Sequence, residues 1–123
     1  MSTETLLDVH RLWGWVLVGT NAAAGCWALA AHWLERLRGR PLWIFTIVAE
    51  LTIGVQVVLG AILSKKLESP EFHAFYGYVA VIAAVLIYSY RTYTPAVKQY
   101  QYLLYGLGGL FLMGLGLRAI YLA

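Results

Sequence analysis

The sequence predicts an all-α integral membrane protein, a four-helix up-down-up-down bundle built from two repeated helix hairpins. Three observations predict it. Of 123 residues, 61% are hydrophobic and 12% charged, well outside the range of soluble globular chains. The charges cluster and leave four apolar runs, 12–34, 42–63, 72–90 and 102–117. Each run is near the roughly 20 residues that cross a hydrocarbon core of about 30 Å. Finally, HRLWGWVLV at 10–18 returns 63 positions later as HAFYGYVAV at 73–81. His10/His73, Gly14/Gly77, Val16/Val79 and Val18/Val81 are identical, and Leu12/Phe75, Trp13/Tyr76 and Trp15/Tyr78 are conservative matches. Such self-similarity indicates an internal duplication.

One domain spans 1–123, with helices expected at about 9–34, 42–64, 70–92 and 98–121. Residues 1–9 form a polar lead-in. The first helix carries Gly14, Gly19, Ala22, Ala23, Ala24, Gly25, Ala28, Ala30 and Ala31, small residues that let helices approach closely. The basic turn 36–40 ends at Pro41, a favourable first helical residue. The second helix holds Glu50, Gly54, Gln56 and Gly60. Ser69 as N-cap and Pro70 at the first helical position start the third helix just before His73. Tyr88, Tyr90, Tyr93, Tyr100, Tyr102 and Tyr105 surround the next loop as an aromatic belt. The fourth helix is rich in glycine without strict GxxxG spacing, so no dimer motif is assigned.

The net charge of +3 says less than its distribution. The loops between odd and even helices hold Arg36, Arg38, Arg40, Arg91 and Lys98 against Glu35, while the other side holds Arg11, Lys65, Lys66 and Arg118 against Glu4, Asp8, Glu68 and Glu71. Basic residues beside helix ends put both termini outside, in a multi-pass protein of a bacterial cytoplasmic membrane. Acids rather than basic residues precede the first helix, so no cleavable signal peptide is expected. Cys26 is the single cysteine, which excludes an intrachain disulfide or a cysteine metal site and makes it a packing residue.

The repeat is chemical at its first and fifth residues. A histidine with glycine at i+4 has its imidazole above a bare patch of backbone, where a flat macrocycle can lie against the helix. Helices 1 and 3 are diagonal partners in such a bundle, so His10 and His73 at one depth suit axial ligation of a haem iron between them. The simpler alternative has interfacial histidines anchoring the helices at the headgroups. Trp13, Trp15, Tyr76 and Tyr78 would wall the macrocycle, or serve only as interfacial aromatics. Arg11 would pair with a propionate, or snorkel to the headgroups.

Glu50 is the only acid deep in an apolar run, roughly 12 Å from the inner face, and Asn21 reaches about the same depth. The two could hydrogen-bond across helices 1 and 2 with Glu50 protonated. The functional reading is a proton relay or quinone contact, the structural one a Glu–Asn bridge. His32 lacks a matching histidine and is read as interfacial.

His10-Arg11 opening a helix, Gln56-Val-Val-Leu-Gly60-Ala61 on the next, and His73 opening the third resemble one four-helix half of haem A synthase. The resemblance covers most of helices 1 to 3. It implies His10 and His73 as axial ligands of haem b, with Gln56 in the cofactor-binding set. The family's catalytic glutamate, three residues before the first histidine, falls here at Leu7, with Asp8 one residue along. The family's outer-loop cysteine pair is absent, and a second haem site would take a dimer.

The expected function is therefore an integral membrane b-type haem protein, in electron transfer or haem handling beside a respiratory or photosynthetic complex. His10 and His73 would be the metal ligands, and Gly14, Gly77, Arg11, Trp13, Tyr76 and Gln56 the other cofactor-binding residues. The enzyme alternative is a compact haem A synthase acting as a dimer, with Asp8 or Glu4 replacing the missing glutamate; Asp8 and Glu50 are the candidate catalytic acids of the chain. A (bacterio)chlorophyll-binding subunit and a cofactor-free accessory subunit are the remaining classes. Expected partners are the lipid bilayer and either subunits of a larger membrane complex or a second copy, with no nucleic acid.

Overall fold

The computed structural model describes residues 2–65, 71–93 and 99–121, without the side chains of 71–74 and 90–93. It is an all-α four-helix bundle of α1 (Thr3–Trp33), α2 (Arg40–Ser64), α3 (Glu71–Tyr93) and α4 (Gln101–Tyr121), with a 3₁₀ turn at Glu35–Leu37. Three helices, α1, α2 and α4, are long and apolar enough to cross a membrane; the described apolar stretch of α3 is the shorter Phe75–Ser89.

α1 starts six residues earlier than hydropathy suggested. The Ser2 hydroxyl accepts from the Thr5 amide at 3.2 Å, and Glu4 sits in the first turn. A serine cap with an acid at a helix N-terminus supports helix where apolar periodicity is silent. α2 starts at Arg40, so Pro41 falls in its first turn as expected. Its N-cap, Gly39, has φ +140, a conformation that favours glycine. The expected Ser69 cap and Pro70 lie outside the described residues.

Contacts at matched depths show neighbouring helices to be antiparallel. Down the α1–α4 seam, Gly14 meets Ile120, Gly116 meets Leu17 and Gly25 meets Gly109. Gly106 meets Leu29 further along. A Cβ on Gly109 would stand 2.7 Å from Gly25 Cα, and one on Gly106 would stand 2.7 Å from the Leu29 backbone. The two backbones touch. α1 packs most extensively on α4 and then on α2, α3 packs on α4, and the α2–α3 seam is the thinnest. The glycine content of α4, unassigned from spacing, thus serves packing within the chain.

The core has two parts. Leu17, Val18, Ile53, Ala80, Leu112 and Leu115 fill the end nearer the chain termini. Ala28, Ala31, Leu42 and Tyr105, with Trp27 and Trp43 against them, fill the end nearer the α1–α2 connection. Outside, Ile44, Ile47, Val48, Leu51, Val55, Val58 and Ile62 form an exposed apolar face of α2, as a helix against lipid requires.

Two expectations are corrected. Tyr105 does not belong to an interfacial belt: it is 6% exposed and meets Trp43 edge-on at 5.3 Å, while the half-buried Tyr102 stacks on Trp43 at 5.4 Å. Tyr88 and Tyr100 are exposed, and the side chains of Tyr90 and Tyr93 lie outside the described residues. Cys26 is exposed rather than packed. It shares the outward face of α1 with Gly19 and Ala23, spaced three and four residues apart.

Candidate functional site

The end of the bundle that carries the chain termini brings together His10, Gly14, Gln56, Gly60, Tyr76 and Arg118. Gln56 Nε2 donates to the His10 carbonyl at 2.7 Å, joining α2 to α1. The His10 ring lies against Gly60, where a Cβ would stand 3.3 Å from His10 Cε1. The glycine that makes room for this imidazole is therefore on α2, not one turn along on α1. The bare patch at Gly14 is filled: a Cβ there would meet Gln56 Nε2 at 3.3 Å and Ile120 Cδ1 at 3.5 Å.

Gly77, the repeat partner of Gly14, differs. No described atom lies within 4 Å of a Cβ placed there. Duplicated sequence thus sits in unequal surroundings, because α1 is covered on two sides by α2 and α4 while α3 is well covered only by α4.

His73 lies in the first turn of α3; its side chain is outside the described residues. The end of the bundle it occupies follows from contacts on α4. Gly14 lies beside Ile120, and the Arg118 Cζ is 6.0 Å from the centre of the Tyr76 ring. Two α4 residues separate these contacts, about 3 Å. The starts of α1 and α3 thus lie at the same end of the bundle, beside the last turns of α4.

Trp15 and Tyr78 do not join the expected aromatic wall. Trp13 Nε1 donates to the Thr52 carbonyl at 2.9 Å, which ties the indole to α2. Trp15 and Tyr78 are 51% and 55% exposed and face outward. Positions two apart on a helix stand about 200° apart, so 13 and 15, or 76 and 78, cannot share one site. Arg11 and Asp8 are also exposed. Gln56 Oε1 is buried with no hydrogen-bond partner among the described residues. Among the described residues no three His, Cys, Asp or Glu converge, so a chelated ion has no site there; a two-ligand axial pair is a separate requirement.

A second polar group lies mid-bundle. Asn21, 2% exposed, donates through Nδ2 to the Leu17 carbonyl at 2.9 Å and the Ala49 carbonyl at 3.2 Å. Asn21 and Glu50 do share a depth, lining one narrow gap with Thr46, Ile87, Tyr105 and Leu112, wide enough for no more than about one water. Both Asn21 amide protons go to carbonyls, so a bridge to Glu50 could use only Asn21 Oδ1, with Glu50 as donor.

Sequence reasoning missed Arg38, which it counted only as a topological charge. Arg38 Nε donates to the Ala31 carbonyl at 2.7 Å and Nη2 to the His32 carbonyl at 2.8 Å. The guanidinium thereby caps the last turn of α1 and sits 4.7 Å above the Tyr102 ring. Trp27 Nε1 closes the same connection on the Leu37 carbonyl at 2.9 Å. An arginine a few residues beyond a predicted helix end was the available signal. His32 packs edge-on against Trp33 at 4.8 Å, and its Nδ1 is buried without a hydrogen-bond partner among the described residues. Comparison of the chain with family models, curated proteins and solved structures returns no match.

Proposed function

We propose that the chain is a b-type haem protein of the membrane, with His10 and His73 as axial ligands, serving electron transfer or haem handling. Both termini lie on the outer side of a bacterial cytoplasmic membrane in this reading, as the basic residues at the opposite helix ends favour. The observation that carries it is the placement of the starts of α1 and α3 at one end of the bundle on diagonal helices, with no described atom within 4 Å of a Cβ on Gly77, one turn from position 73. Two imidazoles are a chemically fitting donor set for a haem iron, and bound haem would supply one-electron chemistry. The chain's own part is to hold the ligands. Gln56 and Gly60 fix the His10 turn of α1, Gly77 leaves clearance, and Arg118 and Arg11 place positive charge at the same end.

The resemblance to one half of haem A synthase extends this proposal to a compact enzyme acting as a dimer. Asp8 or Glu4 would then supply the missing carboxylate; both are exposed near the start of α1. A second reading rests on a different observation. His10 packed on Gly60, with Gly14 covered by Gln56 and Ile120, supports the reading of an accessory subunit.

A reduced-minus-oxidised visible spectrum of protein purified in mild detergent, with haem supplied during expression, separates the readings. A sharp b-type α-band in the wild type, lost or converted to high spin in both His10→Ala and His73→Ala, supports the axial pair. A far-red band lost stepwise with each histidine indicates separate chlorophyll-type pigments. A flat spectrum from folded protein leaves the accessory subunit.

A further inference from the structure

The six residues that join α1 to α2, 34–39, are held rigidly against the end of α1. Trp27 Nε1 pins the Leu37 carbonyl at 2.9 Å, and the Arg38 guanidinium is engaged by the Ala31 and His32 carbonyls and the Tyr102 ring. The Leu37 and Arg38 amides close a 3₁₀ turn on the Leu34 and Glu35 carbonyls, each at 3.0 Å. Leu42, one turn into α2, is fully buried beside Ala28 and Ala31. The connection therefore has one path, set by α1 and α4.

Arg36 and Arg40 ride on this clamp without taking part in it. Both are exposed, and among the described residues neither guanidinium has a hydrogen bond, ion pair or ring partner. Glu35 is the one acid among residues 34–40, against three arginines, so the connection carries a positive excess. Four residues of chain can separate Arg36 from Arg40 by no more than about 14 Å, which makes them one patch.

The patch has an apolar border. Trp33, 68% exposed, and Leu34, 45% exposed, turn outward where α1 ends. α1 and α2 are both long and apolar enough to cross a membrane, so the edge of the hydrocarbon layer falls near the end of one and the start of the other. An exposed indole beside exposed arginines suits that edge. Positive charge selects an anion, and the planar guanidinium fork matches phosphate oxygens. The indole and leucine alongside select an anion carried on apolar chains.

We propose that the α1–α2 connection is a binding site for an anionic phospholipid. Arg36 and Arg40 take the headgroup phosphate, and Trp33 and Leu34 lie along the acyl chains. Trp27 and Arg38 hold the backbone of the site in place beforehand, so little chain ordering is left to binding. The site is at the opposite end of the bundle from His10 and Gly60 and does not depend on the haem reading.

The full chain in mild detergent is titrated with phosphatidylglycerol and, separately, with phosphatidylcholine, and bound lipid is counted by native mass spectrometry. Phosphatidylglycerol should bind more tightly, because phosphatidylcholine carries the same phosphate with its own compensating cation. Arg36→Gln and Arg40→Gln should each weaken phosphatidylglycerol by about fivefold and leave phosphatidylcholine unchanged. Neither arginine has a partner among the described residues to lose, and far-UV circular dichroism checks the fold of each variant. Lys65→Gln, an exposed charge at the far end of α2, should leave binding unchanged. Inorganic phosphate at the same concentration should displace none of the lipid; displacement would make this a site for free anions instead. That result, equal affinity for the two lipids, an equal loss in Lys65→Gln, or unchanged binding in the folded double variant would each overturn the proposal.

Discussion

Gly109→Ala should loosen the bundle, although alanine is ordinarily the better helix former. A Cβ at 109 would stand 2.7 Å from Gly25 Cα, 2.9 Å from Gly25 N and 3.1 Å from the Asn21 carbonyl oxygen. All are backbone atoms, so no side chain can rotate away. Carbon–carbon contact is comfortable at about 3.5–4.0 Å, so α1 and α4 must separate by about 1 Å where they cross. Overpacking of this kind costs about 1–3 kcal/mol, and rigid backbone on the far side argues for the upper end. The helix-propensity gain of alanine over glycine, about 1 kcal/mol, offsets part of it. The net is about 2 kcal/mol of destabilisation. Gly114→Ala is the matched control: it lies on the same helix with no described atom within 4 Å of its added Cβ, so only the propensity gain applies. The two alanines should therefore differ by about 3 kcal/mol, roughly a hundredfold in the unfolding equilibrium. Titration of the detergent-solubilised protein with sodium dodecyl sulfate, followed by tryptophan emission and far-UV circular dichroism, reads this difference. Coincident curves for the two variants would refute backbone contact between α1 and α4.

Other substitutions probe the two ends of the bundle. Arg38→Gln should cost about 2 kcal/mol in the same titration, because two charge-assisted bonds to the Ala31 and His32 carbonyls and the stack on Tyr102 are lost. Arg38→Lys should recover only part of it, since an ammonium cannot reproduce the planar fork, and Arg36→Gln at an exposed position should change little. Gln56→Leu should be within about 1 kcal/mol of neutral despite losing the 2.7 Å bond to the His10 carbonyl, because a buried acceptor without a partner is removed with it. A loss above about 3 kcal/mol in that variant would show that Gln56 Oε1 has a partner in the membrane.

Much of the architecture was legible in the chain because the bilayer imposes it. Charge-poor runs near the length of a membrane crossing allow little except helices, and short connections make consecutive helices antiparallel. The repeat was legible too, and with it the placement of positions 10 and 73 at one end of the bundle. Hydropathy alone could not see polar helix, so the Ser2-capped first turns of α1 were missed. Nor could spacing show that Arg38 folds back over α1, because a capping arginine and a topological arginine are the same letter.

Which glycine does what was decided by tertiary structure. By sequence, Gly14 and Gly77 are equivalent; in the bundle one is covered by Gln56 and Ile120 while the other is open. Gly25, Gly106 and Gly109 are consumed by backbone contact, while Gly54 and Gly114 meet no described atom. A glycine in sequence states only that no side chain is present. Whether that absence admits a neighbouring backbone, an imidazole such as that of His10, or a molecule from the lipid depends on how far away the facing helix lies. That distance is set by the sum of packing across all four helices, which no local pattern encodes.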